Sequence, residues 1–140
     1  MCGILGGWSK DKGFFSDTTI VTALKSISHR GPDDYGYERI DSTFDGEVLL
    51  GHTRLSIIDL SSAGHQPMHT VDGEFSLVFN GEIYNYKEIR KELELAGHRF
   101  ITSTDTEVLL ISWSVWGPEC LTKLCLLYTS DAADDSLRVN

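Results

Sequence analysis

The sequence predicts an α+β domain, and three observations support that class. The chain has 140 residues, which is the size of a single domain. Its hydrophobic content of 41% and charged content of 24% are ordinary for a globular protein. Short strand-like runs and segments of helical periodicity follow one another without a regular βαβ repeat, so a mixed architecture is expected.

The first half of the chain predicts two strands and one helix. Residues 2–8 form an apolar run with three glycines, which indicates a buried strand. Ser16 can begin a helix, because apolar residues recur after it at helical spacing as far as Ile27. Residues 29–36 are rich in turn-forming residues and predict a loop. Residues 47–53 predict a second strand that ends at Arg54.

The second half adds shorter elements that are bounded by turn residues. The predicted elements are, in order, a polar loop at 61–68, a strand at 75–79, a helix from 83 to a stop at Gly97, a short strand at 99–102, a helix capped within 103–105, and a new helix from Glu119 after Gly117 and Pro118.

Cys2 carries the most chemical information in the sequence. It follows Met1, and a small second residue permits removal of the initiator methionine. The mature chain would then begin with a cysteine whose own α-amine, with a pKa of roughly 7.7–8.0, can accept the thiol proton. Amino-terminal nucleophiles activated in this way are a known form of covalent catalysis. The alternative is a cysteine that stands at position two without a catalytic role.

Four further motifs follow Cys2: HRGPDD at 29–34, GHTRLSIID at 51–59, FNGEIYN at 79–85 and STDTE at 103–107. Asn80 and Gly81 can direct a side-chain amide and a backbone N–H at one oxyanion, although a hairpin turn is the plain alternative. The planar fork of Arg54 matches a carboxylate. Asp105 suits an ammonium group, and a helix cap is its structural alternative.

Cys2 and these four motifs together resemble the class II glutamine amidotransferase domain, and most closely the amino-terminal glutaminase half of glutamine-hydrolysing asparagine synthetases. The resemblance covers residues 1–124. It implies an α+β amino-terminal-nucleophile (Ntn) hydrolase fold, a four-layer αββα sandwich that is incomplete at the C-terminus of this chain. It also implies hydrolysis of glutamine to glutamate and ammonia through a γ-glutamyl thioester on Cys2.

The resemblance also assigns individual residues. The implied catalytic residues are Cys2, Asn80 and Gly81. The implied glutamine-binding residues are Arg54, Leu55, Ser56, Ile57, Ile58, Asn80, Gly81, Glu82 and Asp105. Arg30 and the residues after it are placed near the site, either to help close the pocket or as a structural turn. No metal is expected in this domain, because Pro67 between His65 and His69 argues against a helical ligand pair.

The implied partners and cofactors lie mostly outside the chain. Glutamine is the expected ligand, and a C-terminal synthetase domain, absent here, would use ATP and Mg²⁺ to make asparagine from aspartate and ammonia. A homodimer of the full-length protein is compatible with the resemblance. The alternatives are a class II amidotransferase with another acceptor, and a catalytically inert fragment.

Composition excludes several other classes. The net charge of −9 repels phosphate backbones, so nucleic acid is not an expected partner. No apolar run reaches the roughly 18 residues of a membrane span, and no secretory leader is present, so the cytoplasm is expected. Three cysteines, one of them needed as a free thiol, argue against a disulfide framework.

Residues 125–140 depart from the domain pattern. The peptide from Cys125 to Asp134 can be encoded by TGT CTC TTA TAC ACA TCT GAC GCT GCC GAC, which looks like a transposase end with a sequencing adaptor. We therefore predict that the natural domain ends here at Leu124 and that residues 125–140 are a translated adaptor tail that contributes nothing to the fold. The alternative is a genuine divergent end.

Overall fold

A computed structural model describes residues 2–41, 45–57 and 59–125 of the chain. The helices and strands are, in order, β1 (Gly3–Ser9), α1 (Asp17–Ser26), β2 (Asp34–Asp41), β3 (Glu47–Arg54), β4 (Met68–His69), β5 (Ser76–Leu77), α2 (Tyr86–Leu95) and α3 (Asp105–Trp116), with short 3₁₀ segments at Ser28–Arg30, Ser62–Gly64 and Gly117–Thr122. The predicted α+β class is confirmed. In the part of the chain described, no helix is both long and apolar enough to cross a membrane.

The main sheet has the order β1-β3-β2, and both of its pairings are antiparallel. Gly3 lies opposite Thr53, and Asp34 lies opposite Arg54. The start of β1, the end of β3 and the start of β2 therefore share one end of the sheet. Because Cys2 directly precedes β1, this register places it beside the residues that leave β3.

A second, two-stranded sheet is formed by β4 and β5, in which Met68 pairs with Leu77. The chain then leaves β5 toward the main sheet. There the imidazole Nε2 of His52, on β3, lies 3.1 Å from the backbone oxygen of Phe79. This contact brings the FNGEIYN motif to the same region as Cys2.

The first hydrophobic core packs α1 against the main sheet. Ser16 caps the helix, since its hydroxyl accepts a hydrogen bond from the backbone N–H of Thr19 at 3.2 Å. Ile20 and Leu24 are buried against Leu49 of β3. The predicted helix start and its apolar face are confirmed.

The second core joins α2 to α3. Ile89 and Leu93 of α2 are buried together with Val108 of α3. The partly buried residues around them are Tyr86, Phe100, Ile111, Trp116 and Leu124. This core supports α3, whose first residue is Asp105.

Leu93→Ala is expected to lower the free energy of unfolding by about 2–5 kcal/mol, because it removes a fully buried side chain and leaves a cavity. Leu95→Ala is the matched control on the same helix, where the side chain is 82% exposed and the effect should stay within about 0.5 kcal/mol. Urea unfolding monitored by circular dichroism measures both values. Equal losses in the two variants would contradict the assigned core.

Strand β2 was not predicted, because residues 29–36 were interpreted as a loop. The strand begins at Asp34 and continues through Gly36. A side chain at Gly36 would bring its Cβ within 2.3 Å of the backbone oxygen of Gln66. The glycine that suggested a turn is therefore a point of close approach inside a strand.

Four predictions in the second half were also wrong. The strand expected at 75–79 covers only Ser76–Leu77, and a 3₁₀ segment at Gly117–Thr122 stands where a helix was expected from Glu119. Residues 99–102 do not form a strand, since the N–H groups of Ile101 and Thr102 donate to the carboxylate of Glu107 at 2.8 and 2.7 Å. The helix expected from Ile83 begins three residues later, at Tyr86. The N–H of Ile83 donates instead to the carboxylate of Asp105 at 3.1 Å.

Cys125 is the one residue of the predicted tail that lies within the described range. Its backbone oxygen accepts from the N–H of Tyr84 at 2.9 Å, and its N–H donates to the side chain of Asn85 at 2.8 Å. The prediction that the tail contributes nothing to the fold is therefore wrong at Cys125, although both bonds use main-chain atoms that nearly any residue at this position would supply. The adaptor origin stays a prediction, and residues 126–140 lie outside the described residues.

Candidate active site

A cavity of about 390 Å³ opens between the end of the main sheet and the first turn of α3. This volume falls in the range of small-molecule sites. Its lining residues are Cys2, Arg54, Leu55, Ile57, Asp59, Gly64, Gln66, Phe79, Asn80, Gly81, Glu82, Thr104, Asp105 and Thr106. Residues from every motif except HRGPDD therefore meet in one cavity.

Eight of the ten predicted site residues line this cavity: Cys2, Arg54, Leu55, Ile57, Asn80, Gly81, Glu82 and Asp105. Ser56 lies outside its wall, and its N–H donates to the carboxylate of Asp33 at 2.8 Å. Ile58 lies outside the described residues.

Cys2 lies at the sheet end of the cavity with a partly exposed thiol. The backbone N–H of Leu55 is directed at its Sγ at 3.3 Å. An N–H in this position can stabilise negative charge on the sulfur. Arg30 holds the same residue from outside, because its Nε donates to the backbone oxygen of Cys2 at 3.0 Å.

The HRGPDD motif supports the site from behind the cavity wall. The N–H of Asp33 donates to the backbone oxygen of Arg54 at 3.0 Å, and Asp33 also accepts from Ser56. The carboxylate of Asp34 lies 2.7 Å from Nδ1 of His65. Arg30 is exposed and fixes the main chain of Cys2. The motif therefore acts as a structural turn that positions two other motifs.

Arg54 presents a buried cation to the cavity, since only 7% of the residue is exposed. Its guanidinium donates to the backbone oxygens of Asp59 and of Ser61, the latter at 2.7 Å. Gly64 packs directly against it, because a Cβ at Gly64 would approach Nη2 to 2.1 Å. Among residues 2–41, 45–57 and 59–125, no carboxylate forms an ion pair with Arg54. A buried cation without a counter-ion favours an anionic ligand.

Asp105 presents a buried carboxylate from the first residue of α3. The capping role that sequence left open belongs to Thr104, whose hydroxyl accepts from the N–H of Glu107 at 3.2 Å. Burial raises the pKa of Asp105, and hydrogen bonds from backbone N–H groups, including that of Ile83, oppose the shift. Within the described ranges Asp105 has no cationic partner, so a bound ammonium group would relieve its cost of ionisation.

Asn80 and Gly81 follow Phe79 along the cavity wall. Asn80 is half-buried and Gly81 is exposed. In the described part of the chain, neither the Asn80 amide nor the Gly81 N–H donates to a protein group. These two donors are therefore available to a ligand oxygen.

Sequence reasoning missed three polar residues around the site. The carboxylate of Asp59 accepts hydrogen bonds from the hydroxyl and N–H of Ser61 and from Ser103. These bonds, the one from the Ser61 hydroxyl above all, hold the pKa of Asp59 below its usual range. His52 and Gln66 both bond the backbone of Phe79. Asp59 and His52 stand inside a motif already singled out, whereas no pattern marks Gln66.

The histidines at 65 and 69 serve separate partners. His65 pairs with Asp34, and Nδ1 of His69 lies 2.9 Å from the hydroxyl of Ser76. Among the residues whose positions are described, no group of three or more histidine, cysteine or acidic side chains is arranged to hold a metal ion.

The fold and the cavity agree with the comparison against protein families. The glutamine amidotransferase domain model matches residues 1–134, and the chain belongs to that family. The predicted family is thereby confirmed, and the match extends ten residues beyond the boundary predicted at Leu124.

Curated relatives give a more particular likeness. Glutamine-hydrolysing asparagine synthetase 1 of Bacillus subtilis (strain 168) is 41% identical over 127 residues, which cover 89% of this chain and 19% of the relative. Putative asparagine synthetases of Mycobacterium tuberculosis (strain H37Rv) and Methanocaldococcus jannaschii are each 38% identical over 135 residues, covering 89% and 86% of this chain and 21% and 25% of the relatives. The chain thus spans about a fifth to a quarter of these relatives' length.

Proposed function

We propose that this chain is the glutaminase part of a glutamine-hydrolysing asparagine synthetase and that its cavity binds L-glutamine. The observation that carries the proposal is the convergence of Cys2, Arg54 and Asp105 on one cavity. Free glutamine carries a carboxylate and an ammonium group at one end and an amide at the other. The cavity offers a buried cation, a buried carboxylate and a thiol to these three groups.

Each end of glutamine has a matching group in the cavity. The Arg54 fork can bind the α-carboxylate with the donors that Asp59 and Ser61 leave unused. Asp105 can accept from the α-ammonium group. Glu82, also on the wall, adds negative charge on the same side. Binding therefore pairs two buried charges that lack partners in the described protein.

The proposed reaction proceeds through a thioester on Cys2. The thiol passes its proton to the free α-amine of Cys2, and the sulfur attacks the side-chain amide carbon of glutamine. The negative oxygen formed there accepts hydrogen bonds from the Asn80 amide and the Gly81 N–H. The C–N bond breaks, and the proton returns to the leaving nitrogen, which departs as ammonia. Water then hydrolyses the thioester to glutamate and restores the thiol.

The broader assignment rests on the relatives and the family. We propose that the complete domain is the four-layer Ntn sandwich, in which the sheet formed by β1, β2 and β3 is one layer. We further propose that the natural protein continues into a synthetase domain that uses ATP and Mg²⁺ to convert aspartate to asparagine with the released ammonia. The cytoplasm is the proposed location.

Incubation of the chain with L-glutamine tests the proposal directly. We expect glutamate and ammonia to appear in equal amounts, as measured by chromatography and an enzyme-coupled ammonia assay. L-Asparagine is the matched control substrate, because its amide is one methylene too short to reach Cys2 while its amino-acid end is held. Release no faster than from a Cys2→Ala variant would contradict catalysis by this chain.

A further inference from the structure

His52 and Gln66 hold the same residue from two directions. The backbone oxygen of Phe79 lies 3.1 Å from Nε2 of His52. The backbone N–H of Phe79 donates to Oε1 of Gln66 at 2.6 Å. His52 comes from β3, whereas Gln66 comes from the segment before β4. His52 is 1% exposed and Gln66 is 5% exposed, so both side chains that hold Phe79 are buried.

We propose that His52 and Gln66 are positioning residues whose clamp on the Phe79 backbone sets the places of the oxyanion donors Asn80 and Gly81. This inference rests on the proposed glutaminase function and deepens it. Phe79 is not part of a regular strand, because β5 ends at Leu77. Side chains therefore supply the hydrogen bonds that a neighbouring strand would otherwise supply.

The donor arrangement at His52 follows from its surroundings. Phe79 offers an oxygen, so Nε2 must carry the proton that forms this bond. Burial lowers the pKa of His52, which keeps the imidazole neutral and leaves Nδ1 as the bare nitrogen. Nδ1 is buried and has no hydrogen-bond partner in the described residues.

Gln66 also connects Phe79 to α3, the helix that begins with Asp105. Its Nε2 donates to the hydroxyl of Thr106 at 3.4 Å. Thr106 follows Asp105 in the first turn of α3. The chain of contacts therefore links the oxyanion donors to the helix that carries the proposed ammonium site. A displacement of about 1 Å in such a site can cost on the order of 100-fold in rate.

Three variants and one control of the chain test the clamp. His52→Leu and Gln66→Met each remove a bond to Phe79, and we expect kcat for glutamine to fall about 30- to 100-fold with KM within about 3-fold. His52→Gln retains an N–H near the position of Nε2 and should recover kcat to within about 5-fold of wild type. Ser112→Ala is the control, because Ser112 is also fully buried and its hydroxyl has no partner in the described residues.

A kcat equal to wild type in His52→Leu and Gln66→Met would overturn the clamp while leaving the proposed function intact. Parallel loss of kcat in Ser112→Ala, or failure of His52→Gln to recover, would also overturn it, because a general loss of folding would then explain the effect. Alkylation of Cys2 by iodoacetamide should keep its wild-type rate in both clamp variants, since this reaction needs no oxyanion donors.

Amide hydrogen exchange provides a test that does not depend on activity. The Phe79 N–H should exchange at least about 10-fold faster in Gln66→Met than in wild type, because its acceptor is gone. If the wild-type chain does not hydrolyse glutamine, the proposed function fails, and exchange still decides the clamp. Equal exchange of Phe79 in wild type and Gln66→Met would overturn it.

Discussion

Cys2→Ala is expected to reduce glutamine hydrolysis on the order of 1,000-fold or more, because the nucleophile and its proton are both lost. Glutamate release measures the effect. Glutamine binding, measured by calorimetry, should change by less than about 3-fold, since Arg54 and Asp105 remain in place. Loss of hydrolysis with retained binding would distinguish a catalytic thiol from a structural one.

Cys125→Ala is the matched cysteine control, because that thiol is exposed and only the backbone of Cys125 makes the described contacts. Its hydrolysis rate should equal that of wild type. Retention of Met1 should reproduce the loss seen in Cys2→Ala, because a peptide bond then occupies the proposed base. A Cys2→Ala protein with the wild-type rate would refute the thioester mechanism.

Local sequence signals predicted the parts of the fold that depend on local chemistry. The strand at β1, the strand at β3 and the capped helix α1 are marked by apolar patterning and by Ser16. The convergence of the motifs on one cavity was also predictable, because the resemblance assigned them to one site. Neighbouring residues determine β1, β3 and α1, whereas the convergence of the motifs joins residues far apart in sequence and was predicted from the resemblance alone.

The missed features depend on residues that are distant in sequence. The carboxylate of Glu107 takes the N–H groups that a strand at 99–102 would have given to a neighbour. His52 and Phe79 are 27 residues apart, and Gln66 and Phe79 are 13 apart. A side chain that bonds a distant backbone leaves no period or spacing in the sequence, so pattern analysis cannot find it.

Three buried groups of the site lower the stability of the ligand-free protein. Arg54 is a buried cation and Asp105 a buried anion, and in the described residues neither has an ionic partner. Nδ1 of His52 is buried and has no hydrogen-bond partner among the residues that the structure describes. Buried charges and unsatisfied polar atoms lower stability unless a ligand completes them. Removal of the Asp105 charge should therefore lower activity toward glutamine and raise the stability of the ligand-free protein.

Asp105→Asn is expected to lower kcat/KM for glutamine by about 30-fold or more, because the α-ammonium group loses its buried counter-ion. Arg54→Ala should give a loss of similar size by leaving the α-carboxylate unpaired. Asn at 105 retains an oxygen that can accept from the N–H of Ile83, so the local fold should persist. Steady-state kinetics with glutamine measure both variants, and Asp11→Asn, at an exposed site outside the cavity, is the matched control.

The same Asp105→Asn change is expected to raise the thermal stability of the ligand-free chain at pH 7. Burial raises the pKa of Asp105 above 3.8, so the folded state binds its proton more tightly than the unfolded state. The ionised carboxylate therefore costs stability at a pH above both pKa values, and this cost disappears as pH falls through the raised pKa. The melting temperatures of variant and wild type should converge at low pH, as scanning calorimetry can measure. A less stable Asp105→Asn protein at pH 7 would contradict an unpaired buried carboxylate and, with it, the proposed ammonium site.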